Sequence, residues 1–167
     1  MKKLITICIY MFSISVLSQT TIDEVLNKYN DNSVPYINVD TLKKNAQQAL
    51  ILDAREIEEF EVSHLQDAQH IGFKNFNYSM MDKLMVDSLG DRDTLIIVYC
   101  SIGIRSEIIG KKLISHGFTN VYNLYGGLFE WVNKGGNVFC QGNITQKVHA
   151  YSKKWSRYLT KGFKVYE

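Results

Sequence analysis

Hydrophobic positions follow two different periods along this chain. Thr94-Leu-Ile-Ile-Val-Tyr-Cys100 is a nearly continuous apolar, β-branched run, the pattern of a strand covered on both faces. Ala49-Leu-Ile-Leu52 and Val121-Tyr-Asn-Leu124 are shorter runs of the same kind. Tyr36-Ile-Asn-Val39 alternates like a short strand, and Ala68 to Ile71 predicts another. Between these runs the spacing turns helical. Ile22, Val25, Leu26 and Tyr29 share one face. A helix capped by Asp40 or Thr41 runs to about Gln48. Glu56 to His64 is helical through Ile57, Phe60 and Leu65. Met81, Leu84, Met85 and Leu89 form a stripe that reads as core packing. Ile108, Ile109, Leu113 and Ile114 mark the buried face of a helix stopped by Gly117, and Phe129, Trp131 and Val132 one stopped near Gly135-Gly136. Strands alternating with helices predict an α/β fold, a small open parallel sheet flanked by helices with right-handed crossovers.

The two ends break this pattern. Lys2 and Lys3 precede an apolar run from Leu4 to Leu17, with Val16 and Ser18 small enough for a signal-peptidase site. This reads as a secretory signal peptide cleaved near Ser18, and so as an exported protein, periplasmic or secreted. The run is about fourteen residues, short of the roughly twenty of a membrane span. The last thirty or so residues, from Asn137, mix His149, Tyr151, Trp155, Tyr158 and Phe163 with Lys147, Lys153, Lys154, Arg157 and Lys161. The expected form is a short helix laying Tyr151, Trp155 and Tyr158 on the domain with the lysines in solvent. The chain thus divides into a signal peptide (1–18), an N-terminal helical extension (19–34), a domain (35–136) and a basic, aromatic tail (137–167).

Composition narrows the function. A net charge of +2 and 46% apolar residues describe an ordinary globular protein, and basic residues scattered except near the C-terminus give little support to a nucleic-acid partner. Of three cysteines, Cys8 leaves with the signal, while Cys100 and Cys140 remain. In an oxidising compartment two thiols can pair, which would silence or regulate a site, and sequence does not set their distance.

Cys100 carries the candidate chemistry. It ends the buried strand, and Ser106 and Glu107 read as a helix start with a hydroxyl cap and an acid in the first turn. A helix N-terminus stabilises a thiolate, Arg105 adds positive charge, and Gly103 lets successive N–H groups turn inward as an anion nest. Ile102 and Ile104 make the rim of this loop apolar.

These residues resemble the rhodanese family of sulfurtransferases over about Tyr36 to Gly135. Leu50-Ile-Leu-Asp53-Ala-Arg55-Glu56 through Glu59-Phe60 is similar to the family's first signature. Ser63-His64-Leu65, Ala68 and Ile71 resemble the second, with Ser63, Asp67 and Gly72 in place of two glycines and a proline. Val98-Tyr-Cys100-Ser-Ile-Gly103-Ile-Arg105-Ser106 resembles the active loop, and Gly117-Phe118, Val121 to Leu124, Gly126-Gly127 and Trp131 the closing signature. The resemblance implies a single-domain, rhodanese-like sulfurtransferase in which Cys100 takes sulfane sulfur as a persulfide and passes it to a thiol or cyanide. It implies a substrate-binding loop of Ser101, Ile102, Gly103, Ile104, Arg105 and Ser106, and structural roles for Asp53, Arg55, His64, Gly126, Gly127 and Trp131, with Arg55 paired to an acid. No metal or cofactor is expected, and no nucleic acid or stable membrane span. The related phosphatase and arsenate-reductase loops are one residue longer between cysteine and arginine, so the loop here resembles the sulfur branch. With Arg105 its one charged side chain, the loop is expected to bind thiosulfate poorly and to favour a protein or low-molecular-weight persulfide. A non-catalytic binding module, or a thiol redox sensor using Cys100 and Cys140, are the alternatives. The oligomeric state is left open.

Overall fold

The structure, a computed structural model, describes residues 20–84 and 91–166. The predicted signal segment lies outside the described residues, as do the side chain of Leu84 and residues Met85 and Leu89 of the predicted methionine stripe.

Five parallel strands form the central sheet: β1 (Tyr36–Ile37), β2 (Leu50–Asp53), β3 (Gln69–His70), β4 (Ile96–Tyr99) and β5 (Val121–Leu124), in the order β1-β5-β4-β2-β3. β4 is central because it is apolar on both faces. Ile97 and Tyr99 join one core cluster with Val25, Leu65, Leu128 and Phe129. Ile96 and Val98 join a second with Val34, Ile109, Leu113 and Phe118. From β2 the chain moves outward to β3, and from β4 it moves the other way to β5. The carboxyl ends of β2 and β4 therefore flank a topological switch point, where open α/β sheets form their crevice.

Six α-helices are described: α1 (Ile22–Tyr29), α2 (Val39–Asn45), α3 (Ile57–Val62), α4 (Tyr78–Leu84), α5 (Ile104–Ser115) and α6 (Gly127–Asn133). α1 begins with a capping box between Thr21 and Glu24 and buries Val25 and Leu26, as its spacing predicts. α2 starts earlier than expected. Val39 is its first residue rather than the end of a strand, and the cap is Asn38, whose side chain accepts the Thr41 N–H at 2.8 Å.

α3 and α5 turn different faces inward from those the apolar spacing predicts. In α3, Ile57 is 43% exposed while Glu59 is 3% exposed, because Glu59 has a charged partner, Arg105, in the first turn of α5. In α5, Ile109 and Leu113 are buried, but Ile108 and Ile114 face outward. Gly110 lies on the buried side because Val34 approaches so closely that a Cβ there would stand 2.9 Å from a Val34 methyl.

The tail departs most from expectation. Its described residues contain no α-helix. β6 (Val138–Cys140) and β7 (Asn143–Thr145) pair antiparallel, β8 (Lys147–His149) and β9 (Phe163–Val165) pair parallel, and Ser156–Tyr158 is a single 3₁₀ turn. Val148, Ala150, Tyr158 and Leu159 are buried in the first core cluster, so the tail is held by tertiary burial rather than local periodicity.

Candidate active site

Cys100 follows the last residue of β4 and is 1% exposed. The loop after it closes at Gly103, whose φ of 107° is open to glycine and strained for other residues. That turn starts α5 at once, at Ile104. Gly103 is thus the residue before the helix, and Ser106 is not its cap but a buried residue of its first turn. The tight turn folds the loop's polar groups back onto sulfur. The Gly103 N–H donates to Cys100 Sγ at 3.1 Å. The Ser106 hydroxyl lies 3.5 Å from Sγ and 2.7 Å from Asn123 Oδ1, and its single hydrogen serves one acceptor at a time. Burial raises the Cys100 thiol; the Arg105 charge, the Ser106 hydroxyl and the Ser106 and Gly103 N–H groups outweigh it, and the net shift is downward.

Three elements brace the loop. From the N-terminal extension, Asn30 Nδ2 donates to Gly103 O at 2.9 Å. From β5, Asn123 Nδ2 donates to the same carbonyl at 2.8 Å and lies 3.2 Å from Glu107 Oε2. From α6, the Leu128 N–H donates to Cys100 O at 2.8 Å and the Phe129 N–H to Ser101 O at 3.0 Å. Gly126 (φ 69°) and Gly127 (φ 55°) make that approach possible, since a Cβ on Gly127 would stand 2.3 Å from Cys100 O.

Arg105 is engaged rather than free. Its guanidinium forms a two-pronged pair with Glu59, Nη1–Oε2 at 2.5 Å and Nη2–Oε1 at 2.8 Å, and Nη2 also donates to Ser101 Oγ at 3.0 Å. Its face lies 5.0 Å from the centre of the Tyr151 ring. Burial pushes the Glu59 carboxyl up, but the Arg105 guanidinium, with help from Arg55, draws it below its ordinary value.

The other residues expected to be structural lie outside the pocket. Arg55 is fully buried and paired with Asp53, with Nη2–Oδ2 at 2.6 Å, and also donates to Ser63 O at 2.6 Å. Ionic bonding of Arg55 to an acid is therefore as expected. His64 stacks on Phe60 with ring centres 4.2 Å apart, and its Nδ1 lies 2.8 Å from Leu65 O. Trp131 Nε1 donates to Asn137 O at 2.8 Å. Among the described residues Cys100 and Cys140 are both free, and the Cys140 thiol donates to Glu61 O at 3.3 Å. Among the described residues no group of His, Cys, Asp and Glu side chains is assembled to hold a metal ion.

Above the thiol is a pocket of about 130 Å³ lined by Cys100, Ser101, Ile102, Ile104, Arg105, Tyr151 and Trp155. A model of the rhodanese-like domain family matches residues 38–134, more than half of the chain. The chain belongs to the rhodanese-like domain family. It is similar to a tRNA uridine(34) hydroxylase of Pectobacterium atrosepticum, 33% identical over 59% of this chain and 28% of that protein. It is also similar to the adenylyltransferase and sulfurtransferase UBA4 of Candida albicans, 27% identical over 68% of this chain and 25% of that protein. The chain therefore spans about a quarter of these relatives' length. The thiosulfate sulfurtransferase of Pseudomonas aeruginosa shares the fold, with a TM-score of 0.57 at 20% identity over 83% of this chain and 25% of that one.

Two pocket-lining residues lie beyond the family-matched segment: Tyr151 and Trp155, both in the tail. Their interleaving with lysines reads foremost as packing on the domain, and no periodicity places them over Cys100. Glu59 was visible as part of the first signature, but nothing local marked it as the partner of Arg105.

Proposed function

We propose that this rhodanese-like protein is a single-domain sulfurtransferase acting outside the cytoplasm, carrying sulfane sulfur as a persulfide on Cys100. The observation that carries this reading is the Gly103 N–H donated to Cys100 Sγ at 3.1 Å, with the Arg105 charge beside it, on a thiol already shifted toward its anion. A thiolate is the attacking form, so no separate base is required once it is ionised. Cys100 S⁻ attacks the outer sulfur of the donor, the donor's S–S bond breaks, and the donor thiolate leaves. The N–H groups that hold the thiolate then face the terminal sulfur of Cys–S–S⁻. A thiol or cyanide acceptor removes that sulfur and returns Cys100 as thiolate.

The donor in this reading is a protein or low-molecular-weight persulfide rather than thiosulfate. A dianion gains from uncompensated positive charge, whereas the one charged side chain lining the pocket, Arg105, is already paired with Glu59. The export reading rests on the pattern of residues 2–18. No helix among the described residues is long and apolar enough to cross a membrane.

The test is thiocyanate formation from cyanide with a persulfide or thiosulfate donor, comparing the protein with Cys100→Ser. Intact mass after donor alone should rise by one sulfur in the wild type and not in the variant. Thiocyanate formation that survives in Cys100→Ser would overturn the reading.

A further inference from the structure

The part of the pocket that faces away from the anion nest is made by the tail. His149 is 4% exposed at the end of β8, and its Nδ1 accepts the Tyr151 N–H at 3.2 Å. That bond holds Tyr151 at φ 62°, a left-handed conformation that is strained for a side chain of this size. The turn lays the Tyr151 ring over the Arg105 guanidinium although Tyr151 is 51% exposed. Trp155 closes the adjacent side, edge-on to Tyr29 with ring centres 6.1 Å apart. With Ile102 and Ile104 the lining becomes largely apolar, directly above Cys100.

Size and charge then narrow the occupant. A cavity of roughly 150 Å³ lined by apolar side chains admits benzene, and this one is about 130 Å³. It is slightly smaller but open to solvent on one side, so one small ring or a short branched chain fits partly within it beside the reacting sulfur. The Glu59 carboxylate occupies both prongs of the Arg105 fork, leaving no bidentate partner for a sulfonate or carboxylate on the donor.

We propose that the pocket takes a persulfide whose sulfur is borne on a compact apolar group, an aryl-methyl or alkyl persulfide, and that Tyr151 and Trp155 select it. The inference rests on the sulfur-transfer reading above. Its step is Cys–S⁻ + R–S–SH → Cys–S–SH + R–S⁻: one S–S bond forms as another breaks, no net oxidation occurs, and R–S⁻ takes its proton from water.

The experiment measures kcat/KM for the full chain with benzyl persulfide, glutathione persulfide and thiosulfate, with cyanide as acceptor. The expected result is a preference for benzyl persulfide of at least about tenfold over either anionic donor. In Tyr151→Ala and in Trp155→Ala the preference should fall about tenfold, equivalent to about 1.4 kcal/mol per ring, through a rise in KM for benzyl persulfide. Thiosulfate or glutathione persulfide ranking first in the wild type would overturn the inference while Cys100-dependent turnover sustained the sulfurtransferase reading. A ranking unchanged by both substitutions would remove Tyr151 and Trp155 as its cause. Failure of all three donors to load Cys100 would overturn both. The wild-type ranking decides the matter even if a variant folds poorly.

Discussion

Glu59 and Arg105 face each other across the mouth of the cysteine loop, with paired N–O distances of 2.5 and 2.8 Å. One comes from α3 and the other from the first turn of α5, so the pair ties the two edges of the sheet's crevice together. It also sets the charge of the site. Arg105 still draws the Cys100 thiol toward its anion, but an incoming donor meets an ion pair rather than a free cation.

Replacing Glu59 by Gln should therefore change chemistry and stability in opposite directions. With the carboxylate charge gone, Arg105 acts on Cys100 without opposition, so the alkylation rate of Cys100 should keep its value to lower pH. The KM for thiosulfate should fall several-fold. Stability should drop by about 3 kcal/mol, since Arg105 is left largely buried without its counter-charge. Iodoacetamide kinetics against pH and a urea melt read the two effects; an alkylation profile shifted to higher pH would contradict this account of the site's charge.

The pair shows where sequence reading succeeds and where it stops. β2, β4 and β5 were legible because strands covered on both faces leave continuous apolar runs. Cys100 at the end of β4 followed from that. The burial of Glu59 was not legible, because helical periodicity assigned the inward face to Ile57, and a partner 46 residues away explains the buried acid. The start of α5 was misread for a related reason. A hydroxyl before an acid is the usual start signal, but here a left-handed Gly103 begins the helix sooner. The tail's short strands carry little local preference, and packing against α3 and the core decides them.

Protonation of Glu59 gives a pH dependence of known sign. Its folded carboxyl lies below the ordinary 4.5, so the unfolded chain binds the proton more readily. Its contribution to stability is complete above about pH 5 and is lost as pH falls through the lowered folded value. The melting temperature of the wild type should fall more steeply than that of Glu59→Gln below pH 4.5. Parallel curves for the two proteins would remove Glu59 as the titrating group.

Cys100 titrates with the same sign in a higher window. Its thiol is lowered from an ordinary value of 9.0. The thiolate's contribution is absent below the folded value, grows as pH rises through it, and is complete above about pH 9. Relative to Cys100→Ser, the wild type should gain stability as pH is raised from 6 to 9. A difference that shrinks over that range would mean that burial, not the loop's N–H groups and Arg105, governs the thiol.

Gly127 and Gly135 separate backbone strain from a backbone collision. Both have positive φ, 55° and 73°. A Cβ on Gly135 meets nothing within 4 Å, whereas on Gly127 it stands 2.3 Å from Cys100 O and 2.8 Å from Ile102 N. Alanine at Gly135 should cost about 1 kcal/mol, the left-handed penalty alone. Alanine at Gly127 must also push α6 away from the loop, stretching the Leu128 N–H bond to Cys100 O. A loss of about 3 kcal/mol or more is expected there, with slower alkylation of Cys100 as the loop loosens. Equal losses in denaturant melts would show that α6 is not what holds the carbonyl behind the thiol.

Asn30 tests whether the N-terminal extension takes part in holding the site. Its Nδ2 donates both to Gly103 O at 2.9 Å and to Tyr36 OH at 2.7 Å, and α1 ends at the residue before it. Asn30→Ala removes both donors, while Asn123 still serves the Gly103 carbonyl. The cost in stability should be about 1–2 kcal/mol. The effect on chemistry should be larger in proportion. Gly103 also supplies an N–H to Cys100 Sγ, so freedom at its carbonyl shifts the donor on the other side of the same residue. Alkylation of Cys100 at neutral pH should slow several-fold, and the midpoint of its pH profile should move upward. Asn30→Asp is the sharper variant: it keeps the size, loses the donor, and sets a negative charge against a carbonyl oxygen. It should slow Cys100 more than Asn30→Ala does. If both variants alkylate at the wild-type rate, the brace from α1 is packing alone, and Asn123 suffices to hold the loop.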